Sequence, residues 1–266
     1  MRIFAISDLH SDFRENWALL EGLSDIAYRK DVLIVAGDIA DRIEKICETL
    51  SLLRPKFSKL FYVPGNHELW VRGETENSIQ KLNRILKMCS SLDVRTSPLR
   101  VGSLWIVPLF SWYDESLDPD GTADSADLGA WGDFHFCRWP NEFGPVVDYM
   151  LELNKSRIRP YDLPVISFSH FLPRRDLLPG TDKLFFKGLP RVAGSVCLDQ
   201  QIRVLGPQAH IFGHSHINCD TVINGIRYVQ NALLYPRERE ALTERGRVFW
   251  KGGDPLLEVA TTDEGD

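Results

Sequence analysis

The chain has 266 residues, 44% of them apolar, and a formal net charge of −6. This length and composition suit one large α/β domain with an ordinary core. The acidic balance and the lack of a lysine or arginine block argue against general nucleic-acid binding, and no stretch reaches the roughly 18 apolar residues of a membrane helix. Five cysteines without a Cys-x-x-Cys pair, and no signal-peptide pattern, indicate a reduced protein in the cytoplasm.

The first quarter of the chain alternates between two kinds of apolar pattern. Short apolar runs predict buried strands at 2–6, 32–36 and 60–63, and apolar residues at helical spacing predict helices over 15–29 and 43–53. This strand and helix order favours a parallel sheet with right-handed crossovers.

The rest of the chain continues the pattern around one long interruption. Helices are predicted at 75–91, 146–158 and 192–204, and strands at 104–110, 165–169, 210–212, 226–230 and 248–250. The segment 111–145 is rich in aromatic residues, glycine and proline and is too long for an ordinary connection. We interpret it as an aromatic-rich insertion or lid within a single domain that spans 1–266.

Polar side chains follow the first three predicted strands. Asp8 and His10 come directly after the first strand, Asp38 after the second and Asn66 after the third. Residues i and i+2 of an extended backbone point to the same side, which lets Asp8 and His10 bind one ion together. Ligands bind at the carboxyl edge of open α/β sheets. These strand ends therefore predict a metal site.

Most of the histidines follow the same rule. Five of the seven lie just after apolar runs, namely His10, His67, His170, His214 and His216. Carboxylate, imidazole and amide donors without thiolate suit Mn, Fe, Zn or Mg. The donors are too many for one tetrahedral ion that also holds water. They predict two divalent or trivalent ions about 3.5–4 Å apart that share one carboxylate.

Taken together, these motifs resemble the calcineurin-like metallophosphoesterases. The resemblance runs from residue 8 to residue 216 and rests on Asp8-Leu9-His10, Gly37-Asp38-Ile39-Ala40-Asp41, Gly65-Asn66-His67-Glu68, His170 and Gly213-His214-Ser215-His216. It implies a four-layer αββα sandwich of two mixed β-sheets flanked by helices. It also implies that Asp38 bridges two ions, with Asp8, His10 and His216 on the first and Asn66, His170 and His214 on the second.

The same resemblance implies phosphoester hydrolysis. Hydroxide held between two cations is available near neutral pH, and the cations neutralise charge on the phosphoryl oxygens. His67 is expected to face the scissile phosphate and, when protonated, to donate a proton to the leaving alkoxide. A hydrogen bond that the His67 ring donates to the Asp41 carboxylate is expected to orient His67 and to raise its pKa.

The metal motifs do not identify the substrate. Protein phosphatases of this superfamily carry an arginine before Gly-Asn-His-Glu and a glycine after Asp-Arg, where this chain has Pro64 and Ile43. We therefore predict a phosphodiesterase acting on a small nucleotide-like or other small phosphodiester, with a phosphomonoesterase as the alternative. A non-catalytic scaffold is disfavoured because every ligand position is filled. Candidate substrate contacts are Arg42, Arg174, Trp112 and Trp131.

Overall fold

The structure is a computed structural model that describes residues 1–73, 75–121, 123, 126–142, 144–244 and 253–263. Its strands are β1 (Arg2–Ile6), β2 (Val32–Ala36), β3 (Lys59–Val63), β4 (Val94–Arg95), β5 (Leu99–Val101), β6 (Leu104–Pro108), β7 (Val165–Phe168), β8 (Ala209–Phe212), β9 (Cys219–Ile223), β10 (Ile226–Gln230) and β11 (Leu257–Thr261). Its helices are α1 (Arg14–Glu21), α2 (Ile43–Leu53), α3 (Ser78–Ser91), α4 (Gly132–Phe136), α5 (Val146–Glu152), α6 (Val196–Leu205) and α7 (Pro236–Glu244).

The strands form two mixed sheets. The first has the order β11-β1-β2-β3-β4, and only β11 runs antiparallel to its neighbour. The second has the order β5-β6-β7-β8-β10-β9, with β5 and β9 as its antiparallel edge strands. The parallel centre of each sheet brings several strand ends to one edge. This juxtaposition builds the candidate site.

Apolar side chains hold the sheets and helices in four layers. Between the sheets, Ile34 and Phe61 of the first sheet belong to one buried cluster with Ile166 and Phe168 of the second. A separate cluster joins the outer face of the first sheet to α1, α2 and α3, and another places α6 against the outer face of the second. Two mixed sheets flanked by helices were predicted, and the structure confirms this fold class.

The first and last residues predicted for β1, β2, α2 and β10 agree with those in the structure. Helix α1 ends at Glu21 rather than at residue 29, because the chain turns at Gly22 and Ser24 Oγ accepts from the Ala27 N–H at 3.1 Å. The short strands β4 and β5 were not predicted, because they have too few residues to show an alternating apolar pattern. The strand predicted at 248–250 lies outside the described residues.

The segment 111–145 contains α4 and short 3₁₀ turns in the residues described. Its aromatic residues are partly core, since Trp112 is 5% exposed and packs on Phe171 at 5.0 Å between ring centroids. None of the described helices has the length and apolarity needed to span a bilayer.

Candidate metal centre

Strained turns carry five of the seven predicted ligands away from their strands. The backbone φ angle is positive at Asp8 (51°), His10 (40°), Asp38 (56°), His214 (73°) and His216 (57°). Residues other than glycine rarely adopt this left-handed region, and such strain is concentrated at functional sites. Here the turns direct carboxylates and imidazoles from different strand ends into one space.

The first group of donors joins the ends of β1 and β8. The Nε2 atoms of His10 and His216 are 3.1 Å apart, and His216 Nε2 lies 3.5 Å from Asp8 Oδ1. The same carboxylate oxygen accepts from the His214 N–H at 2.9 Å, which fixes the two strand ends relative to each other. Asp8, His10 and His216 thus meet the spacing of a metal-binding group.

The second group lies beside the first. Asn66 Oδ1 is 3.1 Å from both His170 Nε2 and His214 Nδ1, and these two nitrogens are 3.2 Å apart. Asp38 Oδ1 lies 3.5 Å from His170 Nε2. Asp38 forms one metal-binding group with His170 and His214 and another with His10 and His67, so its carboxylate lies between the two sets of donors.

Two glycines make room for this convergence. Gly37 has a φ of 84°, and a Cβ there would collide with the ring of His170. A Cβ at Gly65 would collide with Asp38 Oδ1 and the same ring. Both close approaches require glycine, because any side chain would push donors out of the centre.

The charge of the centre favours a cation. Burial raises the pKa of Asp38 well above its ordinary value, and the nearby carboxylates of Glu68 and Asp8 raise it further. Burial lowers the pKa of His10 and of His214, which keeps both imidazoles neutral, the form that binds metals. A buried anion beside neutral nitrogen donors is stabilised by a bound cation. The residues present therefore fit a metal centre.

His216 is held by two carboxylates. Burial alone would lower its pKa, but hydrogen bonds to Asp8 and Glu238 outweigh burial and raise the pKa to about 10. The His216 Nδ1 atom lies 2.6 Å from Glu238 Oε2, at the start of α7. A carboxylate on the outer nitrogen fixes ring orientation in many histidine–metal sites. Glu238 is a residue that sequence reasoning missed.

Glu68 holds the backbone of two ligand turns. Its fully buried carboxylate accepts from the N–H groups of Gly65 (2.7 Å), Asp38 (3.1 Å) and Ile39 (2.6 Å). The chain separates Glu68 from Asp38 by 30 residues. This carboxylate therefore joins the end of β2 to the end of β3 and sets the position of the Asp38 side chain.

We expect Glu68→Gln to lower the free energy of unfolding of the metal-free protein by about 2 kcal/mol, because an amide NH₂ would replace an oxygen that accepts from buried N–H groups. We expect this loss to outweigh the relief of repulsion with Asp38, because the Glu68 carboxylate accepts from three backbone N–H groups. Urea unfolding in a chelator measures it. Glu48→Gln is the control, since Glu48 forms an exposed pair with Lys45 and its loss should change stability by less than about 0.5 kcal/mol. Equal effects would contradict the proposed turn-holding role.

Asp133, in the aromatic-rich segment, orients Asn66. Asp133 Oδ1 accepts from Asn66 Nδ2 at 2.8 Å and from Trp70 Nε1 at 2.6 Å, and its Oδ2 accepts from Trp131 Nε1 at 2.9 Å. Because the amide nitrogen of Asn66 is engaged, its oxygen faces His170 and His214. No local motif marks Asp133 in the sequence, and its role depends on a partner 67 residues away.

The environment of His67 differs from the sequence-based expectation. Within the described chain, the carboxylate of Asp41 has Arg72 as its ion-pair partner, with 3.5 Å between Oδ2 and Nε. His67 instead packs against Trp70, with ring centroids 3.8 Å apart and the ring planes inclined by 31°. Burial, followed by the nearby imidazoles, lowers the pKa of His67 to about 3. Its Nε2 still faces the centre, 3.9 Å from Asp38 Oδ2.

Of the predicted substrate contacts, Trp131 packs beside a candidate ligand, His214. Its ring centroid is 5.8 Å from that of His214, and it stacks on Phe186 at 5.2 Å. Trp112 belongs to a buried cluster, and Arg42 is exposed at the start of α2.

Arg174 lies away from the donors. It pairs with Asp176 at 2.6 Å and with Asp199 at 3.4 Å, and it lines a surface cavity beside the β9–β10 turn. That turn is at the amino end of β10, whereas the donors follow carboxyl ends.

This fold and this set of donors define a metallophosphoesterase. The chain belongs to the calcineurin-like phosphoesterase family, whose model matches residues 1–218. It is therefore a phosphoester hydrolase of a metal-dependent family.

Two curated proteins and one crystal structure resemble the whole chain. The acyl-carrier-protein phosphodiesterase PptH of Mycobacterium tuberculosis is 30% identical over 258 residues, which cover 89% of this chain and 78% of the relative. The crystal structure of the phosphopantetheinyl hydrolase PptH from the same organism matches with a TM-score of 0.77 at 26% identity, over 97% of this chain and 95% of that chain. An uncharacterised protein of Acanthamoeba polyphaga mimivirus is 25% identical over 281 residues, covering 90% and 93% of the two chains.

Proposed function

We propose that this protein is a phosphodiesterase that removes the phosphopantetheinyl group from an acyl carrier protein. The observation that carries this proposal is the match to PptH along nearly the whole chain, in sequence and in structure. The substrate is then a phosphodiester on a protein surface rather than the small nucleotide-like diester expected from the sequence. The small diester remains the second candidate, because the donor groups of the centre serve either substrate.

Two metal ions complete this site in the proposal. Asp8, His10 and His216 hold the first ion, Asn66, His170 and His214 hold the second, and Asp38 is shared. The oxygen and nitrogen donors suit Mn, Fe, Zn or Mg. When bound, such a pair supplies a nucleophile from water near neutral pH and draws charge away from the phosphoryl group.

The remaining side chains bind and orient the substrate. His67 presents its Nε2 beside Asp38, where it reaches the leaving oxygen of a bound diester. Trp131 and Phe186 form a stacked aromatic wall next to His214, which suits the apolar part of a pantetheine arm. The 111–145 segment thus contributes Trp131 to this wall and also provides Asp133. In this proposal, Asp41 holds the Arg72 side chain in place through their ion pair.

The test compares a phosphopantetheinylated carrier protein with small phosphoesters. The protein is reconstituted with Mn²⁺, and mass spectrometry follows conversion of the holo carrier protein to its apo form. Bis-p-nitrophenyl phosphate and p-nitrophenyl phosphate are assayed in parallel. We expect metal-dependent release of phosphopantetheine with a kcat/KM above that for either small ester. Rapid hydrolysis of the small diester with an unchanged carrier protein would favour the second candidate.

A further inference from the structure

A sixth strand end, that of β10, enters the centre beyond the region matched by the family model. The chain after β10 runs beside β1, where Ala232 bridges to Ser7 and the Leu233 N–H donates to Ser7 O at 2.9 Å. Leu234 follows with a φ of 73°, although it is a branched and fully buried residue. The family match ends at residue 218, so no motif assigns a role to this turn.

The backbone of this turn has the same left-handed conformation as the turns that carry the candidate ligands. A buried leucine in the left-handed region is strained, and it persists only where its surroundings fix it. Here Asn16 Nδ2 donates to Leu234 O at 2.8 Å. Leu234 shares its sign of φ with Asp8, Asp38 and His214, which deliver donors. The residue that Leu234 delivers is Tyr235.

Tyr235 contacts three residues of the centre. Its ring stacks on His10 at 4.1 Å and 24°, and it meets the ring of His216 at 5.1 Å. Its hydroxyl lies 3.4 Å from His67 Nε2. The ring is thus held against two candidate ligands, while the hydroxyl is directed toward the side chain that faces the scissile group.

We propose that Tyr235 is a substrate-contacting residue whose hydroxyl donates a hydrogen bond to a non-bridging phosphoryl oxygen. A phenol is both donor and acceptor, and its stacked ring leaves only the O–H free to rotate. A donor to an anionic oxygen forms a stronger bond than one to a neutral acceptor. The proposal rests on phosphoester hydrolysis at this centre and not on the identity of the carrier-protein substrate.

The variant Tyr235→Phe removes the hydroxyl and keeps the stacked ring. We expect kcat/KM for bis-p-nitrophenyl phosphate to fall about 10- to 100-fold, the loss of one hydrogen bond to a charged group. Calorimetric binding of inorganic phosphate to the Mn²⁺-loaded protein should weaken about 10-fold. Metal content and melting temperature should match the wild type. Tyr161→Phe is the matched control, because the Tyr161 hydroxyl bonds to Arg157 O, far from the centre.

Two results would overturn the proposal. Phosphate affinity and kcat/KM both within twofold of wild type would show that the hydroxyl does not touch the substrate. Loss of metal from Tyr235→Phe would show that the residue supports His10 instead. Failure of the carrier-protein reaction leaves this test intact, since phosphate binding does not depend on which diester the enzyme prefers.

Discussion

The variant Asp38→Asn is expected to lose metal and activity together. Among the described residues, Asp38 is the only carboxylate that takes part in two of the candidate donor groups. We expect metal affinity to fall by more than the roughly 10- to 100-fold typical of a lost outer-shell partner. Turnover should fall about 10³-fold, equivalent to about 4 kcal/mol of lost electrostatic stabilisation. Elemental analysis after Mn²⁺ reconstitution and a bis-p-nitrophenyl phosphate assay measure the two quantities.

The same substitution should stabilise the metal-free protein. The pKa of Asp38 is raised in the folded state, so its contribution to stability is present below the ordinary value of 3.8 and is lost as the pH rises toward the folded pKa. Asparagine carries no charge at any pH. In a chelator, the variant should therefore melt above wild type at about pH 7, and the difference should shrink toward about pH 4.

Asp31 provides the control for both measurements. It is also buried, but its carboxylate pairs with Arg2 Nη2 at 2.6 Å, away from the centre. Asp31→Asn should keep metal and turnover and should destabilise the protein, because it breaks a favourable pair. An Asp38→Asn variant that retained full metal content would contradict the shared position assigned to this carboxylate.

Local patterns were sufficient to predict the strand ends of the centre. Asp8, Asp38 and Asn66 each follow an apolar run, and the carboxyl ends of parallel strands meet at one edge. His170 and His214 also follow apolar runs, and His170 Nε2 lies 3.2 Å from His214 Nδ1 although the two residues are 44 positions apart in the chain. The resemblance to the calcineurin-like metallophosphoesterases implied the mixed two-sheet fold, and both the family and this fold are confirmed.

The supporting residues were not predictable in this way, because their roles depend on long-range contacts. Asp133 acts on a side chain 67 residues away, and Glu238 on one 22 residues away, without any periodic pattern. The aromatic content of the 111–145 segment did not distinguish substrate contacts from core residues. Trp112 is buried and Trp131 lies beside His214, yet the sequence around the two tryptophans has the same character. Tertiary packing alone separates these cases.

The hydrogen bond predicted between Asp41 and His67 also depends on long-range contacts that the sequence pattern does not show. The position of Asp41 in the Gly37–Asp41 motif favoured a bond to His67, yet its carboxylate pairs with Arg72. The guanidinium of Arg72 lies over the rings of Trp70 at 4.6 Å and Phe136 at 3.9 Å. These cation–π contacts hold Arg72 where it draws Asp41 away from the imidazole. Phe136 lies in the 111–145 segment, so the sequence motif around Asp41 gives no sign of this contact.

The variant His67→Ala is expected to separate chemistry from metal binding. In the proposed assignment the imidazole faces the leaving oxygen and binds no ion, so metal content should equal that of wild type. Because burial lowers the pKa of His67 to about 3, its neutral imidazole acts as a hydrogen-bond donor at the leaving group, and its loss should reduce kcat by about 10²- to 10³-fold. The reduction should be larger for an alkyl diester than for a p-nitrophenyl ester, because the poorer leaving group depends more on a donor. Parallel metal analysis and turnover on both esters measure this.

His135→Ala makes the same chemical change outside the centre and serves as the control. His135 is exposed in α4, where its Nε2 lies 2.7 Å from Gly129 O, and its loss should leave both metal content and turnover unchanged. His67 is also one of three residues in the donor group with His10 and Asp38. Metal loss in His67→Ala would therefore reassign His67 as a ligand. The donor at the leaving group would then have to come from another side chain, and the Tyr235 hydroxyl, which lies 3.4 Å from His67 Nε2, is the candidate.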